Sequence, residues 1–422
     1  MRRGNLKINN YGGGEYMKYI FCSSIYDMDD YEKLSSKSKI PLSLADHNLN
    51  RNIILGLDEA TGIPVQLVNN VQIPSYPTYP RIFFGKKSWE HTPGAEDIHC
   101  GFINLPVLKH ISRAITTFSA IKKAVKAAPG EDVCLLTYDV RLGIALAMGR
   151  AKRRFPHIRT CIVMPDVPTE VLAASTGGKI SFKAKMWAKV KMRFIRGFDS
   201  YVFVAEPMKE VVDVTKKPYT VVEGIYNNHQ PPLAEPTTDK KIIFYSGQLN
   251  PAYGMENLLE AFVNLYPDHP DYELWLCGNG RLVPKIKEMA ENCPGIQFYG
   301  YVSGERVRQL QAEATVLVNP RQNVGGLTRF SFPSKTMEYL ASGRPVLGYR
   351  LDGIPREYDG YIQYVQDNSV QALELKLVEI CSLSAEERKK IGEKSRQFIL
   401  KNKNPKTQCT KIVSILNGMF ER

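Results

Sequence analysis

The chain has 422 residues, of which 43% are hydrophobic and 23% charged, and its formal net charge is +13. That length exceeds what a single hydrophobic core serves, so two domains are expected, and the balance excludes wholesale disorder and a fibrous class. No apolar run reaches the roughly 18 residues of a membrane span, and the N-terminus lacks the apolar core of a signal peptide.

Eight cysteines are widely spaced, with no metal or redox pairing pattern, which suits small buried hydrophobes in a reducing cytoplasm. The charge is uneven: Arg150 to Arg196 holds twelve basic residues against two acidic ones, Asp166 and Glu170. An anionic partner is expected for that tract.

In chain order, residues 1–16 differ from the rest. Arg2, Arg3 and Lys7 precede the Gly12-Gly13-Gly14 run, and a convincing strand begins only at Met17. Phosphate-binding glycine loops follow a strand rather than precede one. The expectation is a translated leader, its glycine codons being those of a ribosome-binding site read in frame, with Met17 as the native start.

Asp27-Met28-Asp29-Asp30 formally resembles the Asp-x-Asp of metal-dependent GT-A glycosyltransferases, but it opens a long polar stretch to Ala45 and reads as solvated loop; no metal is expected. A helix follows from about Leu44 to Ala60. Extended segments are expected at 65–73, 81–84 and 98–104, and a long helix at about 108–128. Then come a strand at 132–138, a helix at 142–155, a strand at 160–164, a helix near 179–196, and strands at 201–205 and 220–223. Strand alternating with helix is the pattern of a doubly wound sheet.

On the helix at 179–196, Ile180, Trp187, Val190 and Phe194 share one side, which reads as core. Lys185, Lys189, Arg193 and Arg196 share another, either a solvated face or a patch for anionic lipid or a diphosphate-bearing acceptor. Nucleic acid is not expected, because the aromatic interleaving of a single-strand platform is absent. The proline-rich connector 227–239 marks a domain boundary. Beyond it, strands at 241–246, 272–277, 296–302 and 316–319 again alternate with helices.

Asn319 to Leu347 carries the most chemistry. A short apolar strand runs into a glycine-bearing loop, and a helix starts at Pro333-Ser334, where proline costs nothing because the first amides lack intrahelical partners. Those amides and Lys335 favour an anion, and Glu338, one turn further, suits a ribose diol. The chemistry points to a nucleoside diphosphate.

This stretch resembles the signature of family 4 of the retaining GT-B glycosyltransferases, in the bacterial polysaccharide-type variant that carries Pro-Ser-Lys, then Tyr339, then a turn ending Gly343-Arg344-Pro345-Val346. The likeness is strong over 241–350 and diffuse over the N-terminal half. It implies an α/β GT-B fold of two Rossmann-like domains facing a cleft. Residues 17–226 would be the acceptor-binding domain, 227–239 the linker, 240–400 the nucleotide-sugar-binding domain, and 401–422 a helix crossing back.

For the site, the resemblance implies that Glu338 holds the ribose beside Ser334 and Lys335, that Tyr301 and Val302 read the nucleobase, and that Gly278 lies in a turn near the donor. After Gly247, the family's Arg and Lys that neutralise the pyrophosphate are here Gln248 and Tyr253, so two charges are missing; Lys335, Arg321 and Arg329 are the candidate replacements. The earlier of the family's paired glutamates is Phe330. Asp166 stands where many relatives have a histidine, and is expected either to orient the acceptor hydroxyl or accept its proton, or to act as a simple turn.

The implied activity is retaining, metal-independent transfer from a nucleotide sugar, UDP-linked on base rate, to a saccharide acceptor, lipid-linked or soluble, in the cytoplasm or peripherally at the inner membrane face. The alternatives are a nucleotide-sugar epimerase on the same fold and a catalytically inactive partner subunit.

Overall fold

The structure, a computed structural model, describes residues 17–168, 181–212, 214, 216–227, 230–323 and 326–421. The expected leader at 1–16, and Ile180 and Glu170, lie outside the described residues.

In the N-terminal half the strands are β1 (Met17–Cys22), β2 (Gln66–Asn69), β3 (Phe83–Phe84), β4 (Lys87–Trp89), β5 (Asp97–His99), β6 (Phe102–Ile103), β7 (Asp132–Tyr138), β8 (Arg159–Met164), β9 (Ser200–Phe203) and β10 (Tyr219–Val221). Eight of them form one sheet in the order β10-β9-β8-β7-β1-β2-β5-β4, parallel except for the antiparallel β4–β5 edge, while β3 and β6 pair separately. Strands covered by helices on both faces read as continuous apolar runs. This is why Val133 to Tyr138 are all buried. Helices Pro106–Lys126, Leu142–Arg154 and Phe182–Ile195 share the core on one face. Helices Leu44–Thr61 and Pro405–Asn417 cover the other.

The second half builds a wholly parallel sheet, β13-β12-β11-β14-β15-β16, from β11 (Lys241–Gln248), β12 (Tyr272–Asn279), β13 (Ile296–Gly300), β14 (Val316–Asn319), β15 (Val346–Gly348) and β16 (Gln363–Tyr364). One continuous core runs through it. All eight cysteines are buried and unpaired.

The chain passes between the two sheets at 222–240 and again near 403. At the second crossing the Lys403 ammonium is fully buried, 2.5 Å from Glu223 of the first half and 2.6 Å from Glu357 of the second. Tyr358 donates to the same Glu223 carboxylate at 2.7 Å. Beyond this point helix Pro405–Asn417 returns to the first sheet, where Cys409 donates to the Ile53 carbonyl and Tyr19 donates to Asn417. Gly56 is required there, because a Cβ would stand 2.5 Å from the Pro405 carbonyl oxygen.

Two sequence expectations are corrected. The polar stretch after β1 is not loop throughout: Met28–Ser36 is helical, and Asp27 caps it by accepting the Asp29 amide at 3.3 Å. Asp27 also faces Lys87 at 3.6 Å, so its chemistry is that of a helix cap with a cationic neighbour. In helix Phe182–Ile195, the stripe assigned to the core is largely outside, with only Phe194 packed against the core. Trp187 and Val190 are exposed, Phe194 is half-buried, and the other core contacts come from Ala188, Met192 and Ile195.

His91 clamps the β4–β5 edge to helix Leu44–Thr61. Its Nε2 lies 2.8 Å from Asp58 and its Nδ1 2.6 Å from Asp97. Burial disfavours the charged ring, but hydrogen bonds to Asp58 and Asp97 and their charges outweigh it and raise the pKa to about 9. A raised folded-state pKa gives stabilisation that is full below the ordinary histidine value of 6.5 and is lost as pH rises through about 9. Urea unfolding of the full chain should therefore show a midpoint that falls between pH 7 and pH 10. In His91→Gln that slope should flatten, with a loss of about 3 kcal/mol at pH 7.

Candidate functional site

The helix Ser334–Ser342 is placed by its own buried residues. Tyr339 accepts the Ser246 amide at 2.8 Å, which ties the helix to the carboxyl end of β11, and Asn319 at the end of β14 donates to Thr336 at 2.9 Å. Its N-cap, Pro333, offers no side-chain acceptor; the Thr336 amide donates to the Pro333 carbonyl at 2.9 Å, which leaves the Ser334 and Lys335 amides as the ones without an intrahelical partner. Gly343, at φ 86°, ends it.

In front of that helix is a cavity of about 910 Å³ at the carboxyl ends of β11 and β12. Ser246, Gly247, Gln248 and Asn250 line one side, and Cys277 to Arg281 another. Tyr301, Val302, Gly304 and Val307 close a third, and Lys335 stands at the helix. The two strand ends touch: a Cβ on Gly278, whose φ is +136°, would lie 1.8 Å from the Gly247 carbonyl oxygen. Asn250 Oδ1 then accepts the Arg281 amide at 2.8 Å and locks the two turns together.

The structure thus gathers Gly247, Gln248, Gly278, Tyr301, Val302 and Lys335 at one cavity. Glu338 is exposed and pairs with Lys335 at 2.7 Å, so the lysine is held at the helix mouth by the residue expected to meet the ribose. Ser334 is exposed at the first helical position.

Two of the expected replacement cations are elsewhere. Arg321 is buried, 6% exposed; it donates to Ser331 at 3.0 Å, stands 5.7 Å over the Tyr253 ring, and its Nε finds no acceptor among the described residues. Burial lowers its pKa. It does not line the cavity, and Tyr253 beneath it does not either. Arg329 binds Glu210 of the first half at 2.7 Å, a contact across the cleft.

The cation that sequence reasoning missed is Arg281, exposed on the cavity wall. Its signal was present: it directly follows the Gly278-Asn279-Gly280 turn at the end of a parallel strand, where ligands of such sheets sit.

In the first half, Asp166 follows β8 on the edge where the strands' carboxyl ends open. It is reached by solvent, yet the protein around it withdraws enough water to raise its pKa, helped by Asp139 and Asp46. A carboxyl so placed holds a proton more readily than a free one. Lys185, Lys189, Arg193 and Arg196 are all exposed on the outer face of their helix, away from the cavity.

Two parallel α/β sheets, with a ligand-sized cavity at the strand ends of the second, define the GT-B architecture. Solved structures agree over nearly the whole chain. The sucrose-phosphate synthase of Thermosynechococcus elongatus superposes with a TM-score of 0.61 at 15% identity, covering 96% of this chain and 99% of its own. The lipopolysaccharide outer core galactosyltransferase WaaB gives 0.62 at 12%, covering 96% and 100%. The catalytic domain of starch synthase IV from Arabidopsis thaliana gives 0.61 at 10%, covering 97% and 100%. At these identities the likeness carries the fold. Residues 229–398 match the sequence profile of the family described as Glycosyl transferases group 1. No curated protein matches the chain in sequence.

The strand-end contact is testable without a ligand. Gly278→Ala combines a left-handed φ with a backbone collision and should cost about 3 kcal/mol or more in urea unfolding. Gly300→Ala, with φ +69° and nothing within 4 Å of the new Cβ, should cost about 1 kcal/mol.

Proposed function

We propose that the chain is a retaining glycosyltransferase that moves a sugar from a nucleoside-diphosphate donor, UDP-linked by preference, to a saccharide acceptor carried on a lipid, in the synthesis of a bacterial surface polysaccharide at the cytoplasmic side of the membrane. The observation that supports it most is the placing of Lys335 and Arg281 on one cavity, with Lys335 in the first turn of helix Ser334–Ser342. Anionic oxygens of a diphosphate are the ligand such a wall favours.

In this reading Lys335 and Arg281, with the amides, stabilise the departing diphosphate, and no metal is assigned that task. Arg321 holds the loop through Ser331, and Arg329 closes onto the other domain. When a nucleotide enters, Glu338 turns from Lys335 to the ribose diol, while Tyr301 and Val302 flank the base. The acceptor oxygen attacks the anomeric carbon from the side that the diphosphate leaves. The carbon–oxygen bond to the diphosphate breaks as the new glycosidic bond forms, and the acceptor proton passes to the leaving oxygen. Asp166 orients the acceptor by accepting its hydrogen bond.

Thermal unfolding with UDP, GDP, ADP and TDP tests the reading. One nucleotide at a hundred times its dissociation constant should add about 2.7 kcal/mol. Lys335→Ala and Arg281→Ala should each weaken that binding at least about tenfold, as expected for a charged contact of 1.5–3 kcal/mol. Folded protein that responds to none of the four would refute it.

A further inference from the structure

The helices Pro106–Lys126, Leu142–Arg154 and Phe182–Ile195 lie over one face of the first sheet, and none of the three contains an aspartate or glutamate. Each feeds a parallel strand, β7, β8 or β9, so their N-terminal ends lie along the edge where the strands' carboxyl ends open to the cleft. Their outer surfaces divide along the helix axes. The N-terminal portions expose large apolar side chains: Val107, Ile111 and Ile115 on the first, Leu146 on the second, Phe182 and Met186 on the third. Phe182 is 81% exposed and Val107 72%. Lysine and arginine take over in the C-terminal portions, including Lys122, Lys126, Arg153 and Arg193, and on the third helix Lys183 and Lys185 are exposed among the apolar groups as well.

Single exposed apolar residues are ordinary, whereas a band of them across neighbouring helices marks an interaction surface. The third helix makes the point sharply, since it meets the core through Ala188, Met192, Ile195 and part of Phe194 while Phe182 and Trp187 are exposed. The occupant is indicated by charge. A second copy of the chain would set this basic face against itself, while a surface bearing phosphates complements it throughout.

We infer that this face docks on an anionic bilayer, with the apolar band entering the interface and the basic band meeting lipid phosphates. The apolar band borders the cleft, so a lipid-borne acceptor would reach Asp166 without leaving the membrane. That last consequence rests on the transferase reading; the docking does not.

The test is co-sedimentation of the full chain with vesicles of phosphatidylglycerol mixed with phosphatidylcholine, beside vesicles of phosphatidylcholine alone. The chain should pellet with the mixed vesicles and stay in solution with the neutral ones. A double variant, Phe182→Asp with Trp187→Asp, should weaken the association at least about tenfold. Leu375→Asp, which replaces an exposed apolar side chain on the C-terminal domain, should leave it unchanged.

Failure to pellet would overturn the inference. So would pelleting that salt abolishes and the double variant does not alter, a solution dimer that the double variant dissociates, or binding to nucleic acid in place of vesicles. Thermal unfolding of each variant checks that it is folded. The nucleotide response of the parent chain separates the two readings: vesicle binding without it would leave the docking standing and the transferase fallen.

Discussion

The cleft exists because the chain crosses between two sheets at fixed points, and the second crossing is pinned by Lys403. Its ammonium is fully buried between carboxylates from both halves. An isolated buried charge costs several kcal/mol, so Lys403, Glu223 and Glu357 must stay together, and Tyr358 shares the Glu223 carboxylate. That requirement fixes where helix Ala385–Asn402 ends and where helix Pro405–Asn417 begins its return. Arg329 and Glu210 add a second, exposed contact across the cleft, worth much less because water screens it.

The site follows from that placement with little further machinery. Parallel strands leave their carboxyl ends on one edge, glycines at 247 and 278 let two of those ends touch, and an uncapped helix faces the space beside them. Charge is then supplied by whichever side chains reach the wall. In this chain the cations on that wall are Lys335 and Arg281, and in the proposed reading they stand in for the two that Gln248 and Tyr253 lack. Lys335 and Glu338 pair with each other at the helix mouth.

Much of this was legible in the sequence because it depends on local rules. The alternation of apolar runs with helical stretches announced two parallel sheets, and Pro333 and Gly343 bracketed the site helix correctly. What stayed hidden depends on three-dimensional choice. Helix Phe182–Ile195 has apolar residues on opposite sides, and periodicity alone favours the bulkier stripe. The sheet took the side with Ala188, because a small residue allows close approach. Arg321 looked like a site cation from its place after β14, yet its side chain is buried, over the Tyr253 ring and bonded to Ser331, off the cavity wall. Arg281 was passed over because a short glycine turn is weak as a motif, although its position at a strand end is strong as topology. The Asp27 segment was read as loop since its composition is polar, when its spacing is also that of a capped helix.

The most direct measurement is of products. The full chain would be incubated with UDP-, GDP-, ADP- and TDP-sugars and a lipid-linked saccharide extract, and both the released nucleotide and the lipid fraction followed by mass spectrometry. The account predicts release of one nucleoside diphosphate in step with a lipid product heavier by one sugar, joined with the anomeric configuration of the donor. Nucleotide that binds while every sugar stays on its donor, or a donor sugar that is epimerised with no acceptor consumed, would contradict it.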